Sequence, residues 1–243
     1  MFETIKCIEL QKNQVIKDIK TATVKDKFRG LPKVNAENCT NCNECKKICP
    51  TNAINEDLSI DLGKCVFCGE CERICSSHVI KFSNFHKIGS TLRDNLITTG
   101  EPNPIKSNEL IKKTFGHSLK LRQVSAGGCN SCEMELGASS NANFDIGRFG
   151  IEFVASPRHA DGIVITGPIT KNMAKALEDT YQAVPEPKVV ILVGACAISG
   201  GIFQNSKELN RDFLQNHKVD LYIPGCPAHP LTIINAILDL LGQ

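Results

Sequence analysis

From Leu119 onward, short apolar runs alternate with stretches in which apolar residues recur every three or four positions. The runs Leu119–Val124, Ile151–Ala155, Gly162–Thr166, Lys188–Val193 and Val219–Ile223 predict strands. Lys188–Val193 is apolar almost throughout, as in a parallel strand buried on both faces. Thr170–Ala183 predicts a helix with Thr170 as N-cap, Met173, Leu177 and Tyr181 on one face, and Pro185 and Pro187 beyond its end. Pro230–Leu240 predicts a closing helix. Strands alternating with helices imply a three-layer α/β domain.

Before residue 119 the pattern weakens. Ile5 to Phe28 has irregular apolar spacing and reads as extended or weakly helical, with Cys7 expected as a half-buried free thiol. Residues 35–85 have a small apolar stock, including Ile48, Ile54, Ile60, Val66, Ile74, Val79 and Ile80, with Val34 just ahead. So few cannot hold some fifty residues without staples. Glu101-Pro102-Asn103-Pro104 reads as a linker or surface crossing, and Leu92–Ile97 as a short helix. The expected organisation is an N-terminal extension over 1–34, a small domain over 35–85, a linker over 86–117 and the α/β domain over 118–243. The main boundary is expected near residue 105.

The staples are cysteines. Cys39-x2-Cys42-x2-Cys45-x3-Cys49 is repeated 26 residues later as Cys65-x2-Cys68-x2-Cys71-x3-Cys75. In such a doubled run three thiolates wrap one face of an iron–sulfur cubane, and the fourth cysteine of each run ligates the other cluster. Cys39, Cys42, Cys45 and Cys75 are therefore assigned to one [4Fe–4S] cluster, and Cys65, Cys68, Cys71 and Cys49 to a second. Zinc sites or disulfides are the competing readings. This half resembles the bacterial two-cluster ferredoxins, with Ser76 where their pattern has proline. Without iron the region is expected to be unfolded.

Cys129 and Cys132, then Cys196, then Cys226 lie on three loops that each follow a predicted strand. In open α/β sheets, sites form at the carboxyl ends of strands, so these four can converge. Buried structural cysteines and zinc are the alternatives to a third cluster. The remaining totals exclude little. A net charge of +2 says nothing of nucleic acid, although residues 1–34 carry eight Lys/Arg against four Asp/Glu. A solvated face, or docking to a partner or an anionic membrane surface, would explain that excess. Met1–Lys6 lacks a secretory apolar core. The runs Val189–Ile198 and Leu231–Leu241 fall short of the about 20 residues that span a bilayer.

Gly128-Cys129-x2-Cys132-Glu133, Gly194-x-Cys196-x3-Gly200-Gly201 and Gly225-Cys226-Pro227 resemble the small subunit of [NiFe] hydrogenases. The resemblance extends through Ser156-Pro157-Arg158-His159-Ala160-Asp161 and Thr166-Gly167-Pro168. It is strongest to the membrane-associated, energy-converting hydrogenases and formate hydrogenlyases, relatives of respiratory complex I. Complex I has adjacent cysteines at the first position, and the spacing here favours the hydrogenase branch. Ala228-His229 departs from the prolines of many relatives. The resemblance implies a flavodoxin-like domain preceded by a small α+β ferredoxin-like domain. It also implies an oxidoreductase subunit that is not catalytic alone, with a third [4Fe–4S] cluster on Cys129, Cys132, Cys196 and Cys226.

Further implied are a separate large subunit with the nickel–iron site, membrane subunits, a soluble ferredoxin donor, no nucleic acid, and a place on the cytoplasmic face of the membrane. A complex I-like subunit without nickel in its partner, and a free-standing carrier or sensor, are the rivals. Gly128 would let backbone approach the cluster. Glu133 would either carry protons or stabilise a helical turn. Arg158 and His159 would tune the cluster or dock the partner, or serve an ordinary loop. His229 would be a donor beside Cys226.

Overall fold

The computed structural model describes residues 2–11 and 14–243. The chain opens with helix α1 (Phe2–Gln11), where an extended or weakly helical stretch was expected. Ile5, Ile8 and Leu10 are 48 %, 65 % and 82 % exposed, so no apolar stripe is buried among the described side chains of this helix. Cys7 is exposed on it rather than half-buried. Residues 12 and 13, within the same stretch, lie outside the described residues. Further on, the N-terminal segment is strapped to the far end of the chain. Ile19 is buried, its carbonyl accepts from Asn235 Nδ2 at 3.2 Å, and Lys20 Nζ meets Asp239 at 2.5 Å.

The doubled cysteine region is built from β1 (Pro32–Val34), α2 (Glu44–Ile48), β2 (Ile60–Asp61), α3 (Glu70–Ile74) and β3 (Ile80–Phe82). Strand β1 pairs antiparallel with β3, Lys33 opposite Lys81. Strand β2 pairs antiparallel with β4 (Ile97–Thr98), which comes from the expected linker. Ile48 and Ile74, counted above as core, are 42 % and 44 % exposed. Each lies on a five-residue helix that also carries Cys45 or Cys71, and a single turn cannot aim every apolar side chain inward. The core here is Leu31, Ala53, Ile54, Ile60, Leu62, Val79, Ile80 and Leu96, continuous with Ile163, Ile165, Leu192 and Ile198 of the C-terminal domain. A unit too small to enclose its own core shares one.

Residues 86–117 are more structured than a bare linker. A 3-10 turn, Asp94–Leu96, replaces the expected helix and leads into β4. Ser90 exchanges two backbone hydrogen bonds with Tyr222. Helix α4 (Glu109–Phe115) starts at Asn108, whose side chain accepts from Leu110 N at 2.9 Å, and it buries Ile111 and Phe115.

The C-terminal domain runs β5 (Leu119–Ser125), α5 (Ser131–Ser139), β6 (Ile151–Phe153), β7 (Gly162–Thr166), α6 (Lys171–Ala183), β8 (Val189–Val193), α7 (Ala195–Ser199), α8 (Asp212–Asn216), β9 (Leu221–Ile223) and α9 (Pro230–Leu241). The sheet is parallel, in the order β6-β5-β7-β8-β9. That is the doubly wound, flavodoxin-like order, with its switch point between β5 and β7. Alternate residues of the strands feed opposite layers: Ile163, Ile165, Val190 and Leu192 face the doubled cysteine region, and Val164, Val189, Ile191 and Val193 face α9. Every residue of α9 except Asp239 is buried.

One ion pair ties the linker to the cysteine region. Asp61, 4 % exposed, accepts two hydrogen bonds from Arg93, at 2.8 and 2.7 Å, and one from Gly63 N. Arg93→Met leaves that carboxylate buried without its cation. Since the arginine is itself partly solvated, the expected loss is about 2 kcal/mol, below the full cost of breaking a buried pair. Anaerobic denaturant titration of the holo-chain checks this.

Candidate functional site

The repeat in sequence is a repeat in backbone. Asn41, Asn43 and Asn52 have φ of 56°, 61° and 48°, and their counterparts 26 residues on, Phe67, Gly69 and His78, have 53°, 80° and 51°. Left-handed residues at these points turn amides toward sulfur. Asn41 N and Phe67 N donate to Cys39 and Cys65 Sγ at 3.4 and 3.3 Å; Ala53 N and Val79 N donate to Cys49 and Cys75 Sγ at 3.3 and 3.4 Å. Asparagine supplies three of the six left-handed positions, a signal already readable in the sequence.

The two cavities inside this repeat are lined across it. One has Cys39, Cys42, Cys45 and Cys75 in its wall. The other has Cys49, Cys65, Cys68 and Cys71. Each takes three thiols from one run and the last thiol of the other.

The remaining four cysteines meet at the carboxyl ends of the parallel strands. Cys129 lies in the loop after β5, Cys132 in the first turn of α5, Cys196 in α7 after β8, and Cys226 in the loop after β9. Cys132 lies within electrostatic reach of Cys196 and Cys226, and Cys129 within reach of the same two. Glycines make room for them. A Cβ on Gly194, at φ 92°, would stand 2.5 Å from Cys132 Sγ, and one on Gly201 would stand 2.9 Å from Cys196 Sγ. Gly128 serves backbone packing: its Cβ would stand 2.9 Å from Gly167 Cα, in the loop after β7.

All thirteen cysteines are free thiols. Burial pushes Cys65, Cys71 and Cys132 up to about 12 and Cys196 to about 11, and raises Cys45 as well. Cys129 is shifted down, chiefly by its hydrogen bond with the Ser131 hydroxyl. Thiols brought together in fours and approached by backbone amides suit a cationic iron–sulfur core that displaces their protons. The three groups adjoin. Helix α2, with Cys45, packs against α3, with Cys71, and Phe67, between Cys65 and Cys68, lines one cleft with Cys226.

Glu133, the third residue of α5, is buried, and its Oε1 accepts from Ser125 Oγ at 2.6 Å and Thr166 Oγ1 at 2.7 Å. Both donors come from neighbouring strand ends, a pairing that sequence alone does not reveal. Arg158 and His159 are exposed on a 3-10 turn after β6. His229 caps α9, its Nδ1 accepting from Leu231 N at 3.1 Å, and packs edge-on to Phe28 and Phe144. With Glu135, Arg29, Phe67 and Cys226 it lines a cleft between the second cavity and the C-terminal cysteines. Thr170 sits at the N-cap of α6 as expected but makes no side-chain capping bond; its methyl and hydroxyl pack over Gly127.

Residues 129–240 match the family model described as NADH ubiquinone oxidoreductase, 20 Kd subunit, and residues 32–55 and 58–81 each match a 4Fe-4S binding domain. The chain is 36 % identical to the probable membrane-bound hydrogenase subunit mbhJ of Pyrococcus furiosus, over 52 % of this chain and 75 % of that one. It is 41 % identical to formate hydrogenlyase subunit 7 of Escherichia coli, over 55 % and 52 %. An NADH-quinone oxidoreductase subunit of Geotalea daltonii is 37 % identical, over 61 % and 82 %. The chain belongs to the NADH ubiquinone oxidoreductase 20 kDa subunit family, whose members serve in hydrogenase and complex I-type complexes, and it is an iron–sulfur electron-transfer subunit with two 4Fe-4S binding repeats ahead of the family domain.

Proposed function

We propose that this chain carries three [4Fe–4S] clusters and passes electrons between a ferredoxin-like donor and the nickel–iron site of a separate large subunit in an energy-converting hydrogenase. The ligands are Cys39, Cys42, Cys45 and Cys75; Cys49, Cys65, Cys68 and Cys71; and Cys129, Cys132, Cys196 and Cys226. The clusters supply one-electron chemistry, and the chain fixes their order. One observation carries the reading: the three cysteine groups adjoin in series, α2 with Cys45 packing on α3 with Cys71, and Phe67, next to Cys68, sharing a cleft with Cys226. The fold thereby supplies a route from the doubled cysteine region to the edge of the parallel sheet.

The nickel belongs on a partner. A thiolate-bridged nickel–iron centre needs four cysteines, and after twelve ligands only the exposed Cys7 is left. The docking edge is the one that carries the exposed Cys129 and Cys226. Apolar side chains flank it without cover: Met134 is 68 % exposed, Ile202 61 % and Phe203 40 %. Glu133 would carry protons beside Cys132, and the exposed Arg158 and His159 would dock the partner. Among the described residues no helix is long and apolar enough to cross a membrane, so attachment to one would run through membrane subunits of the complex. Comparable identity to the NADH-quinone oxidoreductase relative favours a second reading, in which the partner has no nickel.

Two experiments test this. Cys49→Ser is expected to alter or abolish the paramagnetic signal of the cluster held by Cys65, Cys68 and Cys71, and Cys75→Ser that of the cluster held by Cys39, Cys42 and Cys45. Damage confined to the cluster of the mutated residue's own run would sink the crossed assignment. In co-purification, Ile202→Glu is expected to weaken capture of the large subunit by about tenfold or more, the effect of a central apolar contact. Lys175→Glu, on the exposed face of α6, should change it little. Nickel analysis of the captured partner then separates the two readings, and stoichiometric nickel on this chain alone contradicts both.

A further inference from the structure

Arg211 lies between the 3-10 turn Gly201–Phe203 and α8, in a stretch without any metal-binding motif. Its guanidinium donates to four carbonyls. Nη1 reaches Pro168 O at 3.0 Å and Cys196 O at 3.2 Å, and Nη2 reaches Ala197 O at 2.8 Å and Ile198 O at 2.9 Å. Three of the four belong to α7, the short helix that carries Cys196. A five-residue helix leaves most of its carbonyls without partners, and of these three only Cys196 O also receives an amide, from Gly200. The fork therefore closes the C-terminal end of α7 and ties it to the loop after β7.

Among the described residues, no carboxylate compensates its charge. The charged groups that reach it are Cys196 and Arg93, and Arg93 is already engaged with Asp61. A guanidinium cannot shed its proton in a protein, and a half-buried cation held only by carbonyl dipoles is costly unless an anion stands nearby. The Cys196 sulfur, once it ligates a cluster, would be that anion. A cluster bound by four thiolates is anionic and gains one further negative charge when reduced, so a fixed cation beside one ligand favours the reduced form.

We infer that Arg211 is a positioning residue for the C-terminal cluster, which locks the Cys196 helix and raises that cluster's reduction potential through its fixed charge. The inference rests on Cys129, Cys132, Cys196 and Cys226 holding a cluster. Redox titration of the anaerobic full chain, followed by paramagnetic resonance, tests it with Arg211→Lys and Arg211→Gln. The lysine keeps the charge and loses the fork; the glutamine loses the charge. The expected result is a C-terminal cluster near the wild-type potential in the lysine variant, and one shifted to a more negative potential, or lost, in the glutamine variant. The two clusters of the doubled run should be unmoved in both. Equal potentials in the two variants, loss of the C-terminal cluster from both or from the lysine variant alone, or a shift shared by all three clusters would overturn the role of the charge. A wild-type chain without a third cluster signal would instead remove the reading on which the inference rests.

Discussion

Four thiolates brought into one cavity repel one another, and four thiols brought there fill it with weak hydrogen-bonding groups that contribute little. The walls of both cavities in the doubled cysteine region are made of such groups, and burial holds Cys65 and Cys71 in the neutral form, at about 12. A cationic core that binds all four sulfurs turns this liability into the main cohesive force of the region. The surrounding structure follows from that constraint. Left-handed residues aim amides at sulfur, five-residue helices carry the third cysteine of each run, and the small apolar core continues into the neighbouring domain.

The shared core also sets the electron path. Ile198, two residues from Cys196, packs in the same apolar cluster as Ile54, Ile60 and Leu62 of the doubled region. Gln204 Nε2 donates to Thr51 O across the same seam at 3.2 Å. These contacts hold the second cysteine cavity against the sheet edge. A loose tether would leave the distance between cysteine groups to chance, and electron transfer between clusters depends steeply on that distance.

Much of this was legible in the residues. The cysteine spacing and its repeat at 26 carry both crossed groups, and the five apolar runs after Leu119 became the five strands of the sheet, three of them shortened at an end. Three kinds of feature were not. Helix α4 was missed although Ile111 and Phe115 stand four apart behind an Asn108 cap, because the prolines just before it signal irregular chain. Ile48 and Ile74 look like core from their side chains alone, but a one-turn helix beside a cysteine has no second inward face. Long-range polar contacts leave no local pattern at all: Glu133 with Ser125 and Thr166, and Arg211 with carbonyls up to 43 residues away, become visible only once the sheet has brought the loops together.

On this reading, three complete sets of thiolates hold one series of clusters. Iron and acid-labile sulfide analysis of the anaerobically purified full chain measures it most directly. Three cubanes predict twelve iron and twelve sulfide per chain. A reproducible value near eight of each would leave the cysteines at the sheet edge without a cluster and contradict the account.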